Sequence, residues 1–564
     1  MRVGIIPDEI NMPSVRSVFR MLEETLARRH EIVHRPLEYF FYASESKQKV
    51  MSEEFVRQCD LIAGKIDDKV FAAREQLERK PPIIGFLMGT MSRGAAEVAG
   101  WSRYLRSKDI LVGNCEGDLG ITRKFFNDKA QLRKLAFSFD ETVFCPVDEQ
   151  RRQAIRAEMR FKPTDKILLY SGRISLEKNV QSLIRVFSVL QDLVPDIHLV
   201  VVGGPFIVQF PAMGVFPLSS TGTLTRVMDE LQVKQSQVHF IGGRGPAQLR
   251  ELYAMADILL NFTLHHDENF GLAQIEAMAC GTPVVGTSWG GLKDTIKDGV
   301  SGYQISTVVT DGGVKLNWWE AINRIIELLE DEEKLARFRE TARAYALELS
   351  SYATYVETLE SIVAECEQAG YGPSELVKTT EFARDYWLET LPNEFSPPSF
   401  QRGQKSFEMY KELITPYTGV TENTIPLGEP LTPEQLLVLA SPVRIEGNVI
   451  RIDDPIFPLE FVMPEENQKT AEAIFAVLRT QPVISVESLQ QRIPAPVQSC
   501  FQTTVRWMLA KGMLLRSKLM DNYIEPDMIG EQMGKPVFSI QPVDYTSDVV
   551  VVRKSSAAQT YAAS

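Results

Sequence analysis

Residues 265–285 read HHDENFGLAQIEAMACGTPVV. Glu268 and Glu276 stand in this stretch with seven residues between them, Gly271 follows the first, and an Ala/Met/Cys-rich run carries the second. Gly281-Thr282-Pro283 closes that run ahead of the apolar pair Val284-Val285. The order is that of a loop, a helix and a buried strand. A helix beginning near Asn269 to Gly271 points its free N–H groups into the loop, where they favour an anionic ligand. Gly271 lets such a ligand approach the backbone with no side chain in the way. Glu268 then precedes the helix and Glu276 lies inside it, so two acceptor carboxylates can reach different hydroxyls of one elongated ligand.

This pattern resembles the acidic signature of the retaining glycosyltransferases of family 4. The resemblance implies an α/β chain of GT-B fold, with two facing Rossmann-like domains. It also implies that Glu268 contacts the transferred sugar, that Glu276 hydrogen-bonds the nucleotide ribose, and that backbone N–H groups across Asn269, Phe270, Gly271 and Leu272 help hold sugar and diphosphate.

Upstream, Ile167-Leu168-Leu169-Tyr170 is a strand, Ser171-Gly172-Arg173 a turn, and Ser175 to Asn179 the expected start of a helix running through Leu190. Arg173 and Lys178 can converge there on phosphates, one as a planar fork and the other as a point charge. The family uses this Arg and Lys to neutralise the donor diphosphate. His198 to Val202 is a further strand running into Gly203-Gly204, and Val238 to Ile241 another, before Gly242-Gly243-Arg244. The family has a comparable glycine-rich turn near the nucleotide, which marks Gly172 and Gly204; Arg244 either stacks on the base, touches phosphate or is a surface charge. Leu249 to Ala256 reads as a helix and Asp257 to Phe262 as a strand. His265, His266 and Asp267 are consecutive and point in diverging directions, so no metal site is expected. Downstream, Gly290-Gly291 in SWGGL is expected to permit a helix start near the ligand, or is an ordinary turn.

Towards the N-terminus, Arg2 to Ile6 is a strand and Ser14 to Arg29 an amphipathic helix with Ser14 as N-cap. Apolar runs at Leu61-Ile62-Ala63, Ile83 to Leu87 and Ile110-Leu111-Val112 suggest a parallel sheet with crossover helices. Two departures from the family stand out. The first loop reads PDEINMPS without the common glycine pair, and the stretch FLMGTMSRG has no counterpart of the family's histidine, with Met88 or Thr90 in its place.

Beyond Gly370 the resemblance stops. Proline-rich punctuation flanks a helical stretch near Ser406 to Leu413. Val443 to Ile452 alternates around Gly447-Asn448 as a hairpin, followed by helices at Glu466 to Arg479, Ser485 to Arg492 and Val497 to Lys511. A hairpin with three helices suggests a small α+β winged-helix-like module. It weakly resembles the peptide-recognition domains of ribosomal-peptide modification enzymes, while a packing or dimerisation role is the alternative.

At 564 residues the chain has room for about three domains of roughly 150 residues each. The net charge of -13 disfavours nonspecific binding to nucleic acid or to an anionic membrane. The six cysteines show no paired spacing and read as buried thiols of a reducing compartment. No stretch approaches a membrane span, so a cytoplasmic protein is expected.

The expected division is an acceptor-side domain over 1–150, completed by a crossover helix near 350–370; a donor-binding domain over 151–349; a connector over 371–440; the small module over 441–525; and a tail over 526–564. The expected activity is retaining, metal-independent transfer of a sugar from a nucleotide-diphosphate sugar, with a UDP-sugar as the expected donor and no cofactor, to an unidentified acceptor hydroxyl. A related epimerase or phosphorylase, or a repurposed GT-B protein whose C-terminal module binds a peptide or protein, is the alternative.

Overall fold

The computed structural model describes residues 1–6, 13–35, 44–65, 67–87, 100–175, 178–204, 220–264, 268–372, 374–390, 404–441, 443–452, 459–520 and 524. The first-loop segment 7–12, Met88, Thr90, His265, His266, Asp267 and the tail 526–564 lie outside them.

Short runs such as LIAG, IIGF, ILVG and ILLN are buried at every position. Strands apolar on both faces belong in parallel sheets covered on both sides by helices. Two such sheets form. In the first, β1 (Arg2–Ile6), β2 (Glu31–His34), β3 (Leu61–Gly64), β4 (Ile83–Phe86), β5 (Ile110–Gly113) and β6 (Gln131–Lys134) run in the order β2-β1-β3-β4-β5-β6. In the second, β7 (Lys166–Ser171), β8 (Ile197–Val202), β9 (Val238–Gly242), β10 (Ile258–Asn261), β11 (Val284–Thr287) and β12 (Gly302–Ile305) run in the order β12-β11-β10-β7-β8-β9. Strand order reverses between β7 and β10, and the loops leaving their carboxyl ends open a crevice there.

Local boundaries shift from the sequence reading. The first helix is Pro13–Leu26, which places Ser14 inside its first turn rather than ahead of it. The helix after β7 begins only at Val180, because Asn179 adopts a left-handed conformation (φ 54°, ψ 36°). Asn179 is buried and donates from Nδ2 to the Phe262 carbonyl at 2.9 Å, which ties the loop after β7 to the end of β10. Four cysteines are buried, but Cys145 and Cys500 are partly exposed.

The helix Tyr352–Ala369 returns to the first sheet's side. Tyr352 and Thr25 hydroxyls meet at 3.0 Å, Arg29 pairs with Glu360 at 3.0 Å, and Arg133 donates to Glu365. The segment beyond Gly370 does more than connect. Its backbone runs along the first half of the molecule through Ser107 N to Glu375 O, Val377 N to Leu105 O and Asn127 N to Lys378 O, each 2.9 Å. It then reaches the second half, where Gly290 N donates to Tyr417 O at 2.8 Å and Gly419 N to Ser288 O at 2.9 Å.

In the C-terminal part the hairpin Val443–Glu446/Val449–Ile452 turns at Gly447 and gains a third strand, Leu459–Val462. Three helices follow, Glu465–Leu478, Val486–Arg492 and Phe501–Ala510, the last entered through a 3-10 turn from Ala495. Leu436–Leu439 pairs with Val483–Ser485 and Leu514–Ser517 in a separate antiparallel sheet, so residues assigned to the connector supply a strand here. Trp318 anchors this part to the second sheet's helices by donating Nε1 to the Leu439 carbonyl at 2.9 Å. Among the described residues no helix is long and apolar enough to cross a membrane.

Candidate active site

A cleft of about 580 Å³ opens at the carboxyl ends of β7 and β10. Gly172, Arg173, Lys178, Gly204, Arg244, Glu268, Asn269, Phe270, Gly271 and Leu272 line it, so ten of the residues singled out from sequence converge although almost a hundred positions separate the first from the last. Glu276 is the exception and stands behind the lining.

The loop after β7 carries the cations. Tyr170 donates its hydroxyl to the Arg173 carbonyl at 2.7 Å, fixing the turn through which Arg173 enters the cleft. Lys178 forms an ion pair with Glu268, with both side chains largely withdrawn from solvent. The pair brings together the two basic and acidic signals of the sequence. Its partial burial strengthens the attraction but also makes each charge dependent on having a partner.

The loop after β10 carries the acceptors. Gly271 precedes the helix Leu272–Ala279 in a left-handed conformation (φ 86°) and makes no side-chain cap, which leaves the first N–H groups of the helix facing the cleft. The Phe270 and Phe137 rings meet in a T-shaped contact with centroids 5.2 Å apart, which links the loop to the opposite half of the molecule. Asn269 donates from Nδ2 to Asn114 Oδ1 at 3.3 Å and makes a second link across the cleft. Arg244 is exposed at the rim and donates from Nη1 to the Gly243 carbonyl at 2.9 Å.

Glu276 sits one layer deeper. The Tyr253 hydroxyl lies 3.0 Å from Glu276 Oε2 and 3.0 Å from Ser171 Oγ, connecting the carboxylate to a residue of the cleft wall. Burial pushes the Glu276 carboxyl up to about 7, against the lowering effect of the Tyr253 hydrogen bond. Burial and the nearby Glu276 charge also raise the Tyr253 phenol well above its ordinary value. No helical or strand periodicity marks Tyr253 as polar, since it is fully buried on the core face of its helix.

Gly290 and Gly291 lie outside the cleft lining, and the short helix Leu292–Thr295 starts directly after them. They pack behind Glu268: a Cβ on Gly290 would stand 2.3 Å from the Glu268 carbonyl oxygen, and one on Gly291 2.2 Å from the Phe270 nitrogen. Gly291 N donates to Glu268 O at 2.6 Å. Among the described residues, no group of three or more His, Cys, Asp and Glu side chains is placed to hold a metal ion.

Residues 151–345, which supply all of the cleft lining except Val18 and Phe137, match the family described as Glycosyl transferases group 1. Among individual proteins, the chain is 27% identical over 293 residues to the D-inositol 3-phosphate glycosyltransferase of Segniliparus rotundus, covering 51% of this chain and 60% of that one. It is 35% identical over 163 residues to the protein of that name from Mycolicibacterium gilvum, covering 29% of this chain and 33% of that one. The chain thus spans 60% or less of the length of these relatives. Among solved structures, the sucrose-phosphate synthase of Thermosynechococcus elongatus aligns with a TM-score of 0.49 at 16% identity, over 65% of this chain and 100% of that one. An Anabaena HepE structure in complex with UDP-glucose aligns with a TM-score of 0.48 at 16% identity, over 64% of this chain and 99% of that one.

Proposed function

We propose that the protein transfers a sugar from a nucleotide-diphosphate sugar to an acceptor hydroxyl, with retention of configuration and without a metal ion. The observation that carries this reading is the Lys178–Glu268 ion pair, set beside Arg173 and the uncapped start of the helix Leu272–Ala279 in one cleft. Cations and backbone N–H groups on one side suit a diphosphate, while the carboxylate suits the hydroxyls of the attached sugar.

The arrival of a donor redistributes these partners. The diphosphate takes over the charge of Lys178, with Arg173 beside it, and the oxygens of Glu268 become free to accept from sugar hydroxyls. As the glycosidic bond lengthens, negative charge grows on the diphosphate, and fixed cations already in position stabilise it most at the transition state. Glu276, reached through the Tyr253–Ser171 connection, is suited to the ribose. No protein nucleophile is assigned. Direct neutralisation of the diphosphate by Arg173, Lys178 and backbone N–H groups leaves no step that calls for a divalent ion. Similarity to proteins named D-inositol 3-phosphate glycosyltransferase makes a hydroxylated small molecule one acceptor class to try; a UDP-sugar is the first donor to try.

The test is binding and slow hydrolysis across UDP-glucose, UDP-galactose, UDP-N-acetylglucosamine and GDP-mannose, comparing the wild type with Glu268→Ala and Lys178→Ala. Turnover of one donor by the wild type, lost in both variants and insensitive to chelator, is the expected result. Failure of the wild type to bind any of them would overturn the reading.

A further inference from the structure

The first turn of the helix Leu272–Ala279 holds a polar side chain that the protein itself does not satisfy. Gln274 is fully buried, and neither its amide oxygen nor its amide nitrogen has a hydrogen-bond partner. Its helix neighbours Ile275, Ala277 and Met278 are apolar and equally buried, so an apolar side chain would suit the packing without stranding an amide. A buried amide with both functions unpaired is a costly arrangement and calls for a partner.

The amide's position identifies that partner's chemistry. Gln274 belongs to the wall of the same cleft as Arg173, Lys178 and Glu268. Its amide lies over Gly271, where a Cβ would come within 2.3 Å of Nε2 and 2.6 Å of Oε1. Gly271 therefore keeps open the space that the amide uses, beside the uncapped N–H groups and immediately past Glu268. A phosphate offers only acceptors and would face the amide oxygen with like charge. A sugar hydroxyl donates and accepts, and can engage both halves of an amide.

We propose that Gln274 is a specificity-determining residue that reads a hydroxyl of the transferred sugar. The inference rests on the donor-cleft reading given above and adds a second polar contact to the sugar besides Glu268. A site built to pair with a hydroxyl discriminates strongly against ligands that lack or misplace it, because its own buried groups are then left unpaired.

The experiment measures affinity for UDP, UDP-glucose, UDP-galactose, UDP-N-acetylglucosamine, GDP and GDP-mannose, in the wild type, Gln274→Met and Gln274→Asn. Methionine keeps the length and removes the amide; asparagine keeps the amide and withdraws it by one methylene. In both variants the free nucleoside diphosphate should bind as in the wild type, while the bound donor weakens by roughly tenfold and the preference among donor sugars narrows. An unchanged ratio of donor to nucleoside-diphosphate affinity would make the amide a packing feature and overturn the inference alone. If Gln274→Met does not fold, the ratio in Gln274→Asn decides on the same criterion. A wild type that binds none of the donors overturns the transferase reading and this inference together.

Discussion

The Glu268–Phe270 loop has a front facing the cleft and a back facing the body of the protein, and unrelated parts of the chain hold the two. On the front, the Glu268 carboxylate pairs with Lys178 and the loop runs into the open helix start at Gly271. On the back, Gly291 N donates to the Glu268 carbonyl at 2.6 Å and Thr295 Oγ1 to the Phe270 carbonyl at 3.2 Å. Behind Gly290 stands Tyr417, whose ring also meets Trp289 at 5.6 Å. Side chains on the front thus provide the chemistry, while backbone groups on the back set where those side chains stand. The front belongs to the stretch matched by the transferase family, whereas Tyr417 comes from outside it.

The largest effect should come from the front. Removing the cation in Lys178→Ala or Arg173→Ala should lower turnover by about 10²–10³-fold if each contributes a few kcal/mol at the transition state, as seen for comparable charge stabilisers. Circular dichroism should show an unchanged fold. Turnover undiminished in either variant would remove that residue from the reaction.

The back is broken with Gly290→Ala or Gly291→Ala. Each new Cβ collides with backbone, which has no flexible end to move aside, and a destabilisation of about 1–3 kcal/mol is expected together with weaker donor binding. Denaturant midpoints and donor titrations read the two effects. Loss of stability with unaltered donor affinity would uncouple the two faces.

Glu276 lies between front and core and adds a pH dependence. Its native carboxyl, raised to about 7 by burial, binds a proton more readily than a glutamate at its ordinary value of 4.5 in the unfolded chain. The stabilising contribution is therefore complete below about 4.5 and is lost as pH rises through about 7. The wild type should lose about 1–3 kcal/mol relative to Glu276→Gln between pH 5 and pH 8. Urea unfolding at both pH values checks it, and parallel curves would show that Glu276 is not proton-linked to folding.

The smallest effect tests the back most finely. Tyr417 donates to Asp118 from a fully buried hydroxyl, so Tyr417→Phe should cost about 1–2 kcal/mol while leaving the ring packing in place. Donor affinity should move by less than threefold. A larger change in donor affinity would show that the strap through Tyr417 tunes the site as well as supporting it.

This contrast also explains what could be read in advance. Glu268, Gly271, Arg173 and Lys178 were legible because each lies just past an apolar strand, in a local pattern that a parallel sheet turns into a crevice. Gln274 was not, since one Gln within an apolar helix looks the same whether its amide is paired or stranded. Gly290-Gly291 announced a helix start and a close approach, but glycines do not name the backbone that stands opposite. Tyr417 lies more than a hundred residues from the loop it stands behind, and no periodicity records a contact of that kind. The late helix boundary at Val180 also escaped detection, because the left-handed turn at Asn179 depends on its tertiary bond to Phe262.

The placement of residues 374–390 and 404–421 bears on how the molecule unfolds. Phe125 stacks on Trp387 at 5.7 Å and meets Tyr386 edge-on at 5.8 Å, and the same apolar cluster holds Trp289, Leu413, Ile414 and Tyr417. A chain ending at Gly370 would leave aromatic surface of both halves bare and prone to self-association. The first half of the molecule and these later segments therefore share one apolar cluster, and a version of the cleft that keeps that cluster covered reaches at least to Tyr417.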